Sequence, residues 1–467
     1  MPEQNRFDVV ILGGGPGGYV AAIRAAQLGL SVALVEKHRL GGTCLHVGCI
    51  PTKALLRSAE LIRLTRRAAE FGLSIPGDVR FDLAQAMERK ARVVEAQHKG
   101  VQGLMKRNGI AVLYGFGRIA GEGRVSVEND DAEHVLECEY IIVATGSRPK
   151  VVSGLEPDGV RVFTSDEILD IARVPRSLVV LGAGAVGVEF ASMFAAFGSE
   201  VTIIEMLPRL VPLEDVDVSR QLARAFAREG IRAATGTKVD SVVVGQSGVR
   251  VCATNGDGAS VTVEADALLL AVGRSPLTQD IGLPSVGLET DNGFLRVDDF
   301  MRTAHPKVFA IGDVTGRWLL AHAASAQGVL AAEVIAGESP PPWNDEMVPA
   351  ATFCHPEIGS VGLSEEKARQ RGHDVAVGKY VFRANGKAAC MGEDLGLAKV
   401  VVDKATGRVL GAHLIGAGAT DIIAEVALAI AVGATESDIS RTIHAHPTLP
   451  EIVKEATEAA AGRGIHS

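Results

Sequence analysis

Two cysteines, Cys44 and Cys49, stand five positions apart in the stretch Gly41-Gly-Thr43-Cys44-Leu-His46-Val-Gly48-Cys49-Ile-Pro51-Thr-Lys53. A dithiol that closes to a disulfide gives up two electrons, and exchange with other thiols proceeds by thiolate attack on sulfur. Upstream lies a glycine loop, Gly13-x-Gly15-x-x-Gly18, of the kind that lets a backbone approach a dinucleotide pyrophosphate. A flavin accepts two electrons, so a dithiol beside a flavin makes a relay between thiols and a nicotinamide.

Two near cysteines in a chain of this kind are otherwise inert or metal-binding. A zinc site needs about four ligands, and His46 is the one nearby candidate, so no metal is expected. Pro51 suits the first turn of a helix, and Lys53 to Leu64 reads as helical. A helix start favours the thiolate, so a thiol pKa below the usual ~8.5 is expected there.

The elements that must position this chemistry occur twice. Asp8 to Leu12 is a continuous apolar run, as in a strand buried on both faces. The glycine loop, a helix through about Leu28, and a strand Ser31 to Val35 ending in Glu36 follow. The second copy begins with Ser177 to Leu181 and continues with Gly182-x-Gly184-x-x-Gly187. A helix through about Phe197 and a strand Val201 to Ile204 ending in Glu205 complete it. In both copies the acid falls 18 positions after the last glycine, where it can accept hydrogen bonds from ribose hydroxyls. A carboxylate repels a 2′-phosphate, so Glu205 favours NAD over NADP. Each copy closes with a strand and a glycine, at Thr145-Gly146 and at Val272-Gly273. The first copy is 42 residues longer between its first and closing glycines, and the cysteine segment occupies that space.

A chain of 467 residues suggests three or four domains. Its net charge of −9 argues against a nucleic-acid surface. No signal peptide or membrane span is read, so the expected location is cytoplasmic. The remaining cysteines (138, 252, 354, 390) are expected to be buried small hydrophobes. Val308 to Ala310 reads as a strand before a Gly312-Asp313 turn, and the Pro-rich 339–343 as a linker. Strands near 398–402 and 411–415 and a helix near 420–432 then suggest an α+β unit. Read by spacing alone, Lys53 and Glu189 are helix-surface charges, and spacing does not separate an ordinary from a functional role.

From Asp8 to about Glu458 the chain resembles the pyridine nucleotide-disulfide oxidoreductases, a family of flavoproteins. The stretch Leu45 to Leu56 is most similar to members that oxidise protein-bound dihydrolipoamide to lipoamide while reducing NAD to NADH. The resemblance implies an α/β fold with two Rossmann-like domains and a C-terminal α+β dimerisation domain. It divides the chain into an FAD domain (1–149), an NAD domain (150–273), a central domain completing the FAD site (274–342) and an interface domain (343–467). It implies FAD and NAD as cofactors. Gly13, Gly15, Gly18, Glu36, Thr43, Lys53, Thr145, Gly146 and Asp313 then serve FAD. Gly182, Gly184, Gly187, Glu189, Glu205 and Gly273 serve NAD, with Lys53 and Glu189 paired near the reacting rings. Cys49 is implied to face the flavin and Cys44 to exchange with substrate. His444-Ala-His446-Pro-Thr-Leu-Pro-Glu451 matches the family's base motif, with His446 as base, Glu451 as its partner and His444 structural. That base acts on the other subunit's disulfide, so a homodimer is implied. Further partners are lipoyl-bearing and peripheral-subunit-binding domains of an acyltransferase, or a lipoyl carrier protein, since no lipoyl domain is read in the chain.

Several relatives are disfavoured. Glutathione reductases carry basic residues where Glu205-Met-Leu-Pro stands, and mercuric and large thioredoxin reductases need a redox pair in the tail. Soluble transhydrogenases lack one of the two active-site cysteines. A catalytically idle docking subunit would not need Cys44, Cys49, His446 and Glu451 intact. His46 stands where the family often has Asn, and is read as a solvated side chain in preference to one tuning Cys44. Phe353-Cys354-His355-Pro-Glu357 also departs from the family pattern.

Overall fold

The computed structural model describes residues 5–77, 79–129 and 133–466. The opening residues Met1 to Gln4, on which the absence of a signal peptide is read, and Ser467 of the tail lie outside that range. The chain forms two compact units, one of residues 1–54, 84–150 and 274–344, the other of 55–83, 151–273 and 345–467.

In the first unit, Arg6–Leu12 is the sheet's central strand, paired in parallel with Val32–Glu36 and Glu133–Val143. Its unbroken apolar run is explained by alternation: Val9 and Ile11 enter one core, Val10 and Leu12 the other. Ala111–Tyr114 extends one edge, and Val308–Ala310 joins Glu133–Val143 in parallel. An antiparallel pair, Arg124–Glu128 and Phe116–Ile119, extends the sheet beyond the sequence reading. Helix α1 (Pro16–Gln27) crosses helix Ala321–Ile335 through small residues. A side chain at Gly328 would lie 2.6 Å from the Gly17 carbonyl, so the two backbones touch. The dithiol segment forms a short helix α2 (Gly42–Val47) and the start of α3 (Cys49–Arg66), and α4 (Leu83–Arg107) follows.

In the second unit, Ser177–Leu181 is central to a five-stranded parallel sheet, with helix α5 (Ala185–Phe197) after it. A three-stranded antiparallel meander (Lys238–Gly245, Gly248–Thr254, Ser260–Ala265), absent from the sequence reading, shares a core with that sheet. The C-terminal segment forms an antiparallel sheet of five strands. Helices Ala419–Ala431 and Glu451–Ala460 cover it through Ile422, Val426, Ile452 and Ala456.

A buried ion cluster ties helix α6 (Val216–Arg228) to this last sheet. Lys399, 1% exposed, lies 2.9 Å from both Asp215 and Asp217 and 3.0 Å from Glu365. Burial raises Asp217, but hydrogen bonds from Lys379 and Lys399 outweigh it and take the carboxyl down to about 2. Its contribution is therefore complete above pH 3.8 and lost as pH falls toward about 2. Removing the cation strands Asp215 in the core, so Lys399→Met is expected to cost about 3–5 kcal/mol. The check is the chemical-denaturation midpoint at pH 7, where an unchanged midpoint would contradict the assignment.

Candidate active site

The two glycine loops are built alike. Gly13 has φ +105 and Gly182 φ +98, a region that favours glycine. A Cβ at Gly18 would stand 1.8 Å from the Gly13 carbonyl, and one at Gly187 2.0 Å from that of Gly182. Each loop is therefore folded against its own helix. Gly15 and Gly184 occupy the N-caps of α1 and α5 with no side-chain cap, which leaves N–H groups for an anionic ligand. Nothing lies within 4 Å of a Cβ at Gly184. Both loops thus fit a dinucleotide pyrophosphate.

The acids do more than sequence indicated. Glu36 Oε2 accepts from Gly14 N–H at 2.7 Å, and Oε1 from His38 N–H at 2.7 Å. Glu205 repeats this with Ala183 at 2.6 Å and Leu207 at 2.7 Å. Each carboxylate locks its own glycine loop and leaves further lone pairs for a ribose. Glu205→Gln keeps the shape but has one acceptor oxygen for two N–H groups. A charged hydrogen bond contributes about 1.5–3 kcal/mol, so KM for NAD should rise about tenfold or more with kcat little changed. A steady-state NAD titration checks this, and an unchanged KM would contradict it.

A second polar cluster surrounds Asp313. Ser147 Oγ donates to Asp313 Oδ2, and Arg274 Nε lies 3.8 Å from that oxygen. Burial pushes the Asp313 carboxyl up against those two influences. Thr145 Oγ1 donates to Leu277 O at 2.6 Å, and Gly146 has φ +75. Gly273 closes the second copy at φ +107.

Cys44 and Cys49 are brought together by a glycine that sequence reading passed over. Gly48 separates α2 from α3, and a Cβ there would lie 2.9 Å from Thr43 O and 3.2 Å from Cys44 Cα. Thr52 fastens the junction through N–H and Oγ1 bonds to Gly48 O. Thr43 lies in α2 beside Cys44, and Lys53 in the first turns of α3. The expected lowering is corrected for Cys44. Its thiol is hydrogen-bonded to Cys49, shielded from water and repelled by charge on Cys49, so it is held far above its ordinary pKa. Cys44 keeps its proton unless a base removes it.

Glu189 is corrected too: it is buried, not a surface charge, and accepts from Phe353 N–H at 2.9 Å. One turn along α5, Ser192 Oγ accepts from His355 N–H and Arg63. The departing segment Phe353 to His355 is thereby attached to α5. Burial, with Arg63 and Arg67 nearby, takes His355 down to about 4. Cys354 is buried, Cys138 and Cys252 are half-buried, and Cys390 is exposed, against expectation. Among the described residues no group of three or more His, Cys, Asp or Glu could hold a metal.

His446 and Glu451 do meet, with Nδ1 2.9 Å from Oε1. Glu451 Oε2 accepts from Thr448 N–H, whose carbonyl is held by buried Asn385, a link with no sequence signal. Burial raises the Glu451 carboxyl, but the Thr448 and His446 bonds prevail and hold it below the usual range. The imidazole is 77% exposed. His444 is packed away, bonded to Glu425 and Thr442 O. Ile443, Leu428 and Val432 are exposed.

Comparison with known proteins agrees with this arrangement. Residues 7–328 match the family model described as pyridine nucleotide-disulphide oxidoreductase, and residues 348–457 match its dimerisation domain. The chain is 47% identical to a dihydrolipoyl dehydrogenase of Chlorobaculum tepidum, over 97% of this chain and 96% of that one. It is 44% identical to a dihydrolipoyl dehydrogenase of Bacillus subtilis, over 98% and 99%. Its structure resembles LpdA from Mycobacterium tuberculosis (TM-score 0.90, 29% identity, 97% and 99% covered). It also resembles the flavoprotein disulfide reductase RclA from Escherichia coli, solved as a Cu(II) complex (TM-score 0.85, 28% identity, 97% and 99% covered).

Proposed function

Because the chain belongs to the pyridine nucleotide-disulphide oxidoreductase family, we propose that it oxidises protein-bound dihydrolipoamide to lipoamide and reduces NAD to NADH. It is a flavoprotein oxidoreductase with FAD and NAD as cofactors. The observation that carries the reading is the pairing of a joined Cys44–Cys49 dithiol with two glycine loops, each locked by its own acid. The high identity to dihydrolipoyl dehydrogenases along nearly the whole chain supports the choice of substrate.

In this reading the first glycine loop, Glu36, Thr43, Lys53, Thr145, Gly146 and Asp313 hold FAD. The second loop, Glu189, Glu205 and Gly273 hold NAD. FAD held there would supply a two-electron acceptor for the dithiol and a hydride donor to a nicotinamide held by the second loop. The chain's residues do the rest. His446 of the partner subunit removes a proton from one substrate thiol, and Glu451 of the partner subunit steadies the imidazolium. The substrate thiolate attacks Cys44 Sγ, the Cys44–Cys49 bond breaks, and Cys49 leaves as thiolate. The second substrate thiol displaces Cys44 and closes the lipoamide ring, leaving two reduced cysteines.

The match to a dimerisation domain over residues 348–457 supports a two-fold homodimer, and the exposed His446 and the exposed apolar side chains Ile443, Leu428 and Val432 of that segment suit a covered face. The substrate arm belongs to a lipoyl-bearing domain of an acyltransferase or to a lipoyl carrier protein, and a peripheral-subunit-binding domain docks the dimer. No helix among the described residues is long and apolar enough to cross a membrane, and we place the enzyme in the cytoplasm. The division at 149/150, 273/274 and 342/343 into FAD, NAD, central and interface domains belongs to the same proposal.

The test is NADH formation by the purified holoenzyme from dihydrolipoamide and NAD⁺, with NADP⁺ as control. Turnover with NAD⁺ and little with NADP⁺ is expected. FAD-loaded protein with no turnover would overturn the reading in favour of a docking role or another disulfide substrate.

A further inference from the structure

The carbonyl of Leu40 receives two histidines. His46 Nε2 lies 2.9 Å from it and His98 Nδ1 3.0 Å, and the two rings meet edge to face with centroids 5.2 Å apart. Both nitrogens donate, since a carbonyl oxygen only accepts; neutral rings supply this with the proton on Nε2 of His46 and on Nδ1 of His98. His98 is 6% exposed and projects from α4; His46 lies in α2, two residues after Cys44 and three before Cys49. The groups around the pair are the neutralising ion pair Arg39–Glu95 and, beyond it, Glu36 and Lys99. Burial holds His46 below its ordinary pKa, which favours the neutral ring.

The bond from His46 closes residues 40–46 into a ring spanning the Gly41–Gly42 turn and all but the last residue of α2. The bond from His98 fastens that ring to the 25-residue helix α4. The solvated side chain expected at position 46 is instead a structural donor.

We propose that His46 and His98, through the shared Leu40 carbonyl, are positioning residues that set the approach of Cys44 to Cys49 and hence the stability of their disulfide. The stability of a disulfide follows how closely the folded chain presents its two sulfurs. Loosening α2 lowers their effective concentration and shifts the equilibrium toward the dithiol. This rests on Cys44 and Cys49 being the redox pair.

The experiment equilibrates holoenzyme with mixtures of reduced and oxidised dithiothreitol. Oxidised dithiothreitol takes two electrons and two protons from the dithiol, and alkylation with mass spectrometry counts the thiols left. His46→Met keeps the reach of the side chain without a donor, whereas His46→Gln restores an N–H where Nε2 was. His98→Leu and His98→Asn form the matching pair for Nδ1. The Met and Leu variants should shift the equilibrium about tenfold toward dithiol, about 30 mV for a two-electron couple. The Gln and Asn variants should return to within about threefold of the parent. Equal constants for Met and Gln at position 46, with FAD bound in both, would overturn the proposal. If His98→Leu does not fold, the pair at partly exposed position 46 decides alone. A parent protein that forms no Cys44–Cys49 disulfide would instead overturn the redox-pair reading on which the clamp rests.

Discussion

Cys44→Ser should abolish oxidation of dihydrolipoamide, with a loss on the order of 10⁴-fold or more in kcat, as for other removed covalent nucleophiles. Serine offers no sulfur for the incoming thiolate and forms no disulfide with Cys49. FAD content should be unchanged, because the glycine loop and the Asp313 turn are separate from the thiol. Cys49→Ser should lose turnover equally but differ in one respect. Its Cys44 thiolate would still attack the S–S bond of added lipoamide, opening that ring to a mixed disulfide with no neighbour to continue the relay. Intact-mass measurement should therefore find a lipoamide adduct on the Cys49→Ser protein and none on Cys44→Ser. Turnover of Cys44→Ser within tenfold of the parent would remove the dithiol from the mechanism.

His446→Gln should lower kcat by about 10²–10⁴-fold, the usual contribution of a positioned general base. The need for a base follows from the substrate: its dithiol is largely protonated at neutral pH, and only a thiolate attacks the Cys44–Cys49 bond. Glu451→Gln should lose less, about 10–100-fold, because it removes a charged hydrogen bond and leaves the base in place. Glu451 is held below the usual carboxylate range, so it stays ionised through any practical assay and contributes no acid limb above that range. An unchanged kcat in Glu451→Gln would mean that the carboxylate holds only the Thr448 turn.

The nucleotide loops were legible because their signals are local. A strand buried on both faces must be apolar at every position, and glycines at φ near +100 or under a neighbouring carbonyl have no substitute. Ser177–Leu181 and Ala185–Phe197 accordingly fall where spacing puts them. The antiparallel edge strands and the meander Lys238 to Ala265 do alternate, as at Val249, Val251, Val261 and Val263, but such short runs do not say which strands they pair with. At the site, backbone acceptors leave no mark in sequence. Gly48 against Cys44, His46 and His98 on Leu40 O, and Asn385 on Thr448 O all belong to that class. Spacing alone leaves Glu189 open because the Phe353 N–H it accepts from lies 164 residues away. The thiol expectation does not hold for Cys44 because its hydrogen bond to Cys49 and its burial, neither marked in sequence, both raise it.

The most direct measurement is a single turnover with the thiols counted. Oxidised holoenzyme is mixed without oxygen with one equivalent of dihydrolipoamide, with no NAD⁺ present, and quenched with an alkylating agent. Peptide mass spectrometry then finds which cysteines have become reactive, against a denatured, unreacted control. New alkylation confined to Cys44 and Cys49, accompanied by formation of lipoamide, is the expected result. Lipoamide formed with both cysteines still closed, or new thiols at other positions, would contradict the dithiol relay.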